Sequence, residues 1–280
     1  MSSLYLVATP IGNMEDITLR GLRVLREVAL IAAEDTRTAR KLMFHHDVTS
    51  RVISYTEHNM QGRTPQIMQV LNGGGDVALV SEAGTPGISD PGYELVRAVI
   101  AAGHNVSPIP GPAAPVAAVV ASGLPSAEFI FLGFLPRRSG ERRRLFDSLR
   151  ESPRTLVAFE SPHRLIQTLQ DMLSVLGDRR VAICRELTKL HEEIFRGHVT
   201  EALERFVEPR GEFTLVIEGA PLEAVQVSDD ELRSRLRHLL MSGASARDAA
   251  AEVAKATGTP RRRVYALALE IKNTPGEKPD

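Results

Sequence analysis

The chain is poor in the features that mark several large classes of protein. Its 280 residues hold one cysteine, Cys184, set in the apolar run Val181–Cys184. That excludes a disulfide framework and a cysteine-based zinc site, and it reads as a small buried hydrophobe. No stretch reaches the roughly 18 apolar residues of a membrane span, and no charged leader followed by an apolar stretch opens the chain. The expectation is a soluble, cytoplasmic protein with no membrane partner. The formal net charge of −1 points to no polyanion through bulk charge, so any nucleic-acid contact must come from local basic patches. No Gly-x-Gly-x-x-Gly follows the first strand, and there is neither a Walker lysine motif nor a Gly-x-Ser-x-Gly elbow. His45 and His46 are adjacent and cannot share one helix face as metal ligands. His191-Glu192-Glu193 lacks the second histidine of a zinc motif and reads as a solvated helix end. No metal is expected.

What is present is an alternation of strands and helices. Leu4–Ala8, Leu30–Ala33, Val77–Val80 and Val106–Ile109 are short β-rich runs. Thr18–Val28, Gln66–Leu71, Tyr93–Ala102 and Ala113–Ala121 carry helical patterns, two of them stopped by glycine at Gly73-Gly74-Gly75 and Gly103. This order predicts a parallel sheet with helices on its faces, an α/β fold. Beyond a boundary at Ser122-Gly123-Leu124-Pro125 comes a second strand-rich half, with strands at Phe129–Leu132, Thr155–Phe159, Val181–Cys184 and Phe213–Glu218. Helical segments at Arg142–Leu149 and Leu165–Leu176 separate some of them. A second boundary falls at Ala220–Ser228, and a helical tail runs to a frayed end from Asn273. The predicted domains are residues 1–121, 122–222 and 229–272. In the tail, Asp248–Ala256 and Arg261–Ile271 flank the turn Thr257-Gly258-Thr259-Pro260. That pattern suits either a helix-turn-helix unit or a helical hairpin used for packing or dimerisation.

Ligands of open α/β sheets bind beyond the carboxyl ends of the strands. Here the strands run into Gly/Pro-rich loops at that end: Thr9–Asn13, Ser81–Gly92, Pro110–Ala114, Gly133–Pro136 and Glu160–His163. Glycine allows close approach and proline holds a loop pre-formed. Charged groups also cluster at strand ends: Glu34/Asp35/Arg37, Glu82, Glu160 with His163 and Arg164, and Arg185-Glu186 with Lys189. They are candidates for substrate contact or proton handling, or else helix caps and surface pairs. Two basic clusters stand out, Arg137/Arg138/Arg142/Arg143/Arg144 and Arg261/Arg262/Arg263. Either is a solvated face or a phosphate contact.

Several segments, taken together, resemble the tetrapyrrole methylase family, the class III S-adenosylmethionine methyltransferases. They are Val7–Asn13, Ala33–Arg37, Ser81–Gly92, Pro110–Ala113, Gly133–Pro136 and Arg185–Lys189. The resemblance runs in order from about Leu4 to Gly219, is to the rRNA-modifying branch of the family, and extends to the helical tail. It implies two α/β domains with S-adenosylmethionine in the interdomain cleft, plus a small helical C-terminal region, in a homodimer. The implied activity is methylation of the ribose 2′-hydroxyl of a cytidine in 16S rRNA. The implied partner is that RNA or the assembled small ribosomal subunit. Donor contacts are implied at Pro10, Glu82, Ala83, Gly84, Thr85, Ile88, Ala113, Ala114, Leu135, Phe159, Glu160 and Leu187. Glu82 stands where the family is expected to carry aspartate, keeping the carboxylate at longer reach.

Methyl transfer from a sulfonium is an in-line displacement that needs no metal, but a ribose hydroxyl is a weak nucleophile that calls for positioning or a base. The catalytic candidates are Glu160, His163, Glu186 and Lys189. Asp35 and Arg37 are expected across the cleft on the substrate side, and Arg137, Arg138, Arg142, Arg143 and Arg144 on RNA phosphates. Two alternatives are a relative acting on a small tetrapyrrole and a non-catalytic RNA-binding module. The arginine cluster and basic tail argue against the first, the many strand-end loops against the second.

Overall fold

The computed structural model describes residues 2–221, 228–257 and 259–273. It forms two compact units, Met1–Gly219 and Ala220–Asp280. Most of the expected linker at 220–228, Gly258 of the expected tail turn and the expected frayed end from residue 274 lie outside the described residues.

The first unit begins with five parallel strands: β1 (Ser3–Val7), β2 (Leu30–Ala33), β3 (Val52–Ser54), β4 (Val77–Val80) and β5 (Asn105–Ile109). They lie in the order β3-β2-β4-β1-β5. Successive side chains face opposite sides, so Val7, Ile31, Ala33, Ala78 and Val80 enter one core while Leu4, Leu30, Ala32, Val77 and Leu79 enter the other. The first core is closed by α1 (Leu19–Glu27) and α2 (Thr36–His45), the second by α3 (Met60–Asn72) and α4 (Tyr93–Ala101). Thr18 starts α1 by accepting the Gly21 amide at 3.0 Å, and Asp35 starts α2 by accepting the Arg37 amide at 2.7 Å. Parallel strands place all their carboxyl ends on one edge, which is where the Gly/Pro loops gather.

The second half carries β6 (Phe129–Phe134), β7 (Thr155–Glu160), β8 (Arg180–Arg185), β9 (Glu193–His198) and β10 (Phe213–Ile217) in the order β6-β7-β10-β8-β9. Only the β6–β7 pair is parallel. One face is covered by α6 (Ser139–Ser148), α7 (Leu165–Leu176) and α8 (Val199–Arg205), the other by α5 (Ala114–Ser122). The expected first domain, 1–121, included α5. In the structure Ala118 and Val119 of α5 pack on Val157, Ala182, Cys184 and Val216 of the second sheet, and both halves belong to the same compact unit. The expected helix end at His191-Glu192-Glu193 is a turn opening strand β9: Glu193 pairs with Arg185 across the ladder, and the Glu192 carboxylate accepts the Thr188 amide at 2.7 Å. A polar edge strand lacks the apolar run that marks its buried neighbours.

The second unit is a bundle of α9 (Asp229–Met241), α10 (Ala246–Thr257) and α11 (Arg261–Asn273). Leu232 and Leu236 of α9 meet Ala249, Ala250 and Val253 of α10 and Val264 and Ala268 of α11. The alanines let the helices approach closely. Among the described residues no helix is long and apolar enough to cross a membrane.

Candidate functional site: a cleft walled by strand-end loops

Within the first unit, the strand-end loops of both halves enclose a cavity of about 870 Å³, inside the size range of small-ligand pockets. The β1 and β4 loops are tied by a two-way backbone bridge, Thr9 N–H to Gly84 O at 2.8 Å and Gly84 N–H to Thr9 O at 3.0 Å. Gly84 has φ +78, a conformation a side chain would strain. The Thr85 hydroxyl donates to Pro112 O at 3.2 Å and so fastens the β4 loop to the β5 loop. Across the cleft, a Cβ on Gly12 would lie 2.5 Å from Lys189 Cγ and 2.8 Å from Leu187 O. The Asn13 amide also donates to the Thr188 hydroxyl at 3.0 Å. Thr188 holds φ 65 and Glu186 φ 50, strained values for non-glycine residues that are kept where this loop meets the β1 loop.

The wall is mixed in chemistry. The first half contributes Thr9, Glu34, Ser81 and Asp90, and the second contributes Phe131, Phe134 and Phe159. Glu34 accepts the Glu82 amide at 3.1 Å. Its carboxyl is nonetheless raised above the ordinary range, by burial first and then by the neighbouring carboxylates of Glu82, Glu57 and Asp35. Asp90 is half-buried in the same corner. Burial and the charge of Glu34 push it up to about 7, only partly opposed by a hydrogen bond from Ser81. A cavity-lining carboxyl with no cationic partner among the described residues and a pKa near neutrality can accept a proton from a bound group. The sequence reading picks out the loop Ser81–Gly92 but not Asp90. The available signal was a carboxylate inside a Gly/Pro loop at a strand end.

Of the donor contacts implied by resemblance, Pro10, Glu82, Ala83, Gly84, Thr85, Ile88, Ala113, Ala114, Phe159, Glu160 and Leu187 line the cavity. Leu135 does not: its side chain is 2% exposed in the core of the second sheet. Its amide donates to Phe159 O, and its carbonyl accepts Arg164.

The catalytic candidates fare differently. Glu160 is 2% exposed. Its carboxylate is engaged by Arg164 at 2.7 Å, the Ser161 amide at 2.7 Å and the Thr168 hydroxyl at 2.6 Å. These contacts make it an internal anchor. His163 is exposed and lies off the cavity wall. Lys189 reaches the wall but is bonded to Glu186 at 3.0 Å and Glu212 at 2.9 Å. Burial opposes the Lys189 charge, and those bonds outweigh it, so its pKa is raised. Burial likewise works to raise the Glu186 carboxyl, yet the Glu212 amide and Lys189 hold it below its ordinary value.

Asp35 and Arg37 pair with each other at 2.8 Å. The bonds from Arg37 hold the Asp35 carboxyl down at about 2, and Asp35 is the α2 cap. Arg142 must be removed from the RNA-facing set. It is 0% exposed, with Nε 2.9 Å from Asp171 and its guanidinium also donating to Pro136 O at 3.1 Å. At about 100° per residue on a helix, one arginine of Arg142-Arg143-Arg144 turns inward while its neighbours face out. Arg137, Arg138, Arg143 and Arg144 are exposed. Among the described residues no group of three or more His, Cys, Asp or Glu side chains is arranged to hold a metal ion.

The family model for tetrapyrrole (corrin/porphyrin) methylases matches residues 3–203, and one for the RsmI C-terminal HTH domain matches residues 226–272. A Synechocystis protein described as ribosomal RNA small subunit methyltransferase I is 47% identical, covering 97% of this chain and 99% of its own length. The protein of the same description from Halalkalibacterium halodurans is 46% identical over 94% and 93% of the two chains. That from Thermotoga maritima is 50% identical over 78% and 99%. Among solved structures, a diphthine synthase superposes with a TM-score of 0.62 at 14% identity, covering 78% of this chain and 90% of its own. A Thermus thermophilus uroporphyrin-III C-methyl transferase, complexed with S-adenosyl homocysteine, does so at 0.56 and 20% identity, covering 78% and 97%. These two likenesses speak to the fold of the first unit.

Proposed function

Since the chain belongs to the tetrapyrrole methylase family, we propose that it transfers the methyl group of S-adenosylmethionine to the ribose 2′-hydroxyl of a cytidine in 16S rRNA. The observation that carries this reading is 46–47% identity, over 94–97% of the chain, with proteins described as rRNA small subunit methyltransferases. The cavity suits the donor: it is of small-ligand size, closely approached by backbone at Gly84, and carries polar side chains at Thr9, Ser81 and Asp90. When bound, the donor supplies an electrophilic methyl on a sulfonium.

The chain's own residues do the rest. The β1 and β4 loops, bridged at Thr9 and Gly84, hold a pre-formed cradle, so little ordering is left to binding. Asp90 is the cavity carboxyl we assign as acceptor of the ribose proton. Arg137, Arg138, Arg143 and Arg144, with Arg261 and Arg262 of the helix-turn-helix unit, hold RNA phosphates. Assembly as a homodimer, a cytoplasmic setting and the small ribosomal subunit as the physical substrate complete the reading.

The test is mass mapping of 16S rRNA from a strain lacking this chain. One ribose methyl on a cytidine should disappear and return on complementation. An unchanged methylation map would overturn the function. A map restored by a chain carrying Asp90→Asn would remove Asp90 from its role.

A further inference from the structure

Strand β6 ends in an irregularity that reorients its last residues. Phe131 stands opposite Val157 of β7, yet Phe134 stands opposite Phe159, so three steps on β6 match two on β7. Side chains alternate along a regular strand, which would send Phe131 and Phe134 to opposite faces. The extra residue at Leu132-Gly133 inverts the alternation. Leu132 and Leu135 therefore both enter the inner core, and Phe131 and Phe134 both line the cavity. Gly133 makes the bulge possible with φ +63, and a Cβ there would come within 3.2 Å of Ser89 Oγ.

The result is an aromatic group at the cavity mouth. The ring of Phe159 lies 5.2 Å from that of Phe131 and 5.3 Å from that of Phe134. Phe159 is braced from behind, because its carbonyl accepts the Leu135 amide and the adjacent Glu160 is locked by Arg164. Phe134 remains 61% exposed, a large apolar surface left to water. Directly after it come Arg137, Arg138, Arg143 and Arg144, all exposed. Arg137, Arg143 and Arg144 form no ion pair among the described residues. An exposed aromatic ring at the cleft suits the base of an unstacked nucleotide, and the unpaired guanidinium groups that follow it in sequence suit phosphates of the flanking chain.

We propose that Phe134, supported by Phe159, is the stacking platform that holds the base of the target nucleotide out of its helix while the ribose enters the cleft. This rests on the rRNA methyltransferase reading above and adds to it how the nucleotide is received. Enzymes that draw a target nucleotide into a pocket take it out of its stack and hold the freed base against aromatic or apolar side chains.

The experiment uses the full chain and small ribosomal subunits from a strain lacking the methyl. Wild-type, Phe134→Ala, Phe134→Leu and Phe134→Tyr proteins are loaded with S-adenosylhomocysteine. Subunit affinity, S-adenosylhomocysteine affinity and sedimentation are recorded, together with methyl transfer by the unloaded proteins. Phe134→Ala should weaken subunit binding by about 5- to 150-fold, the range for loss of one base–aromatic stack. Phe134→Leu should fall with it, because bulk without a π-face does not stack. Phe134→Tyr should return to within about threefold of wild type by keeping that face. S-adenosylhomocysteine affinity should stay unchanged. Wild-type binding by the Ala variant, or full rescue by Leu, overturns the platform. A parallel loss of S-adenosylhomocysteine affinity would move Phe134 to the donor's site, and dissociation of a dimer would make it a contact between copies. If the wild-type protein methylates no subunit, the functional reading itself fails, an outcome distinct from any of these.

Discussion

Replacing Asp90 with asparagine should stabilise the protein while slowing it. The carboxyl is raised from its ordinary 3.8 to about 7, so the folded state holds a proton that the unfolded chain releases. Stability from this group is fully present below pH 4. It declines as pH rises from about 4 to 7 and stays low above that, because the native state binds the extra proton only in that window. At about 1.36 kcal/mol per tenfold change, the full shift would cost ~4 kcal/mol at pH 8. Asp90 is half-buried in an open cleft, and solvent screening reduces the figure to ~1–2 kcal/mol. Asparagine keeps an acceptor for Ser81 and removes the charge facing Glu34 and Glu82. Asp90→Asn should therefore raise Tm by about 2–8 °C at pH 8, and the difference from wild type should shrink towards zero as pH falls to 4. Calorimetry of both proteins across that range reads it directly. Methyl transfer by the variant should drop by about 100-fold or more, with S-adenosylhomocysteine binding far less affected. A variant less stable than wild type at pH 8, or a Tm difference that ignores pH, would refute the reasoning about the carboxyl. Full activity would refute its role.

Two further outcomes follow from packing. Arg142→Ala leaves Asp171 buried without its cation and should cost about 3–5 kcal/mol in denaturant unfolding. A double replacement, Arg142→Met with Asp171→Leu, should recover most of that, whereas a surface phosphate contact would show no stability loss. Gly12→Ala puts a methyl 2.5 Å from Lys189 Cγ and 2.8 Å from the Leu187 carbonyl. The backbone atom cannot swing aside, so the loops must part at a cost of about 1–3 kcal/mol. S-adenosylhomocysteine affinity measured by calorimetry should fall by about tenfold or more on the same energy scale.

The features legible in the sequence are those that a residue type imposes on its own backbone. The β4 loop is readable because Gly84 and Gly87 hold φ +78 and +84 and because Pro86 fixes the chain between them. The tail is readable because Leu232, Leu236, Ala246, Ala250 and Val253 follow helical spacing into one core. What depends on a partner far along the chain is not readable in the same way. Arg142 looks like its neighbours until α7 brings Asp171 to it. Strand β9 looks like loop because its edge position leaves Arg196 and His198 in water. The bulge in β6 carries one visible sign, Gly133, but whether Phe134 faces core or cleft depends on its register with β7.

The same distinction separates Asp90 from the other strand-end carboxylates. Position at a strand end makes a carboxylate a candidate, and Glu160 and Glu186 both satisfy that rule. Availability is set by neighbours: Arg164 and Thr168 engage Glu160, and Lys189 with the Glu212 amide engages Glu186. Glu186 is thereby held below its ordinary range and is a poor acceptor at neutral pH. Asp90 is raised to about 7 by burial and by the other carboxylates it faces, so the surroundings that make it costly to the fold also leave it able to take up a proton near neutral pH. On the function proposed above, the destabilised group, and not the well-paired ones, is the one that takes the ribose proton.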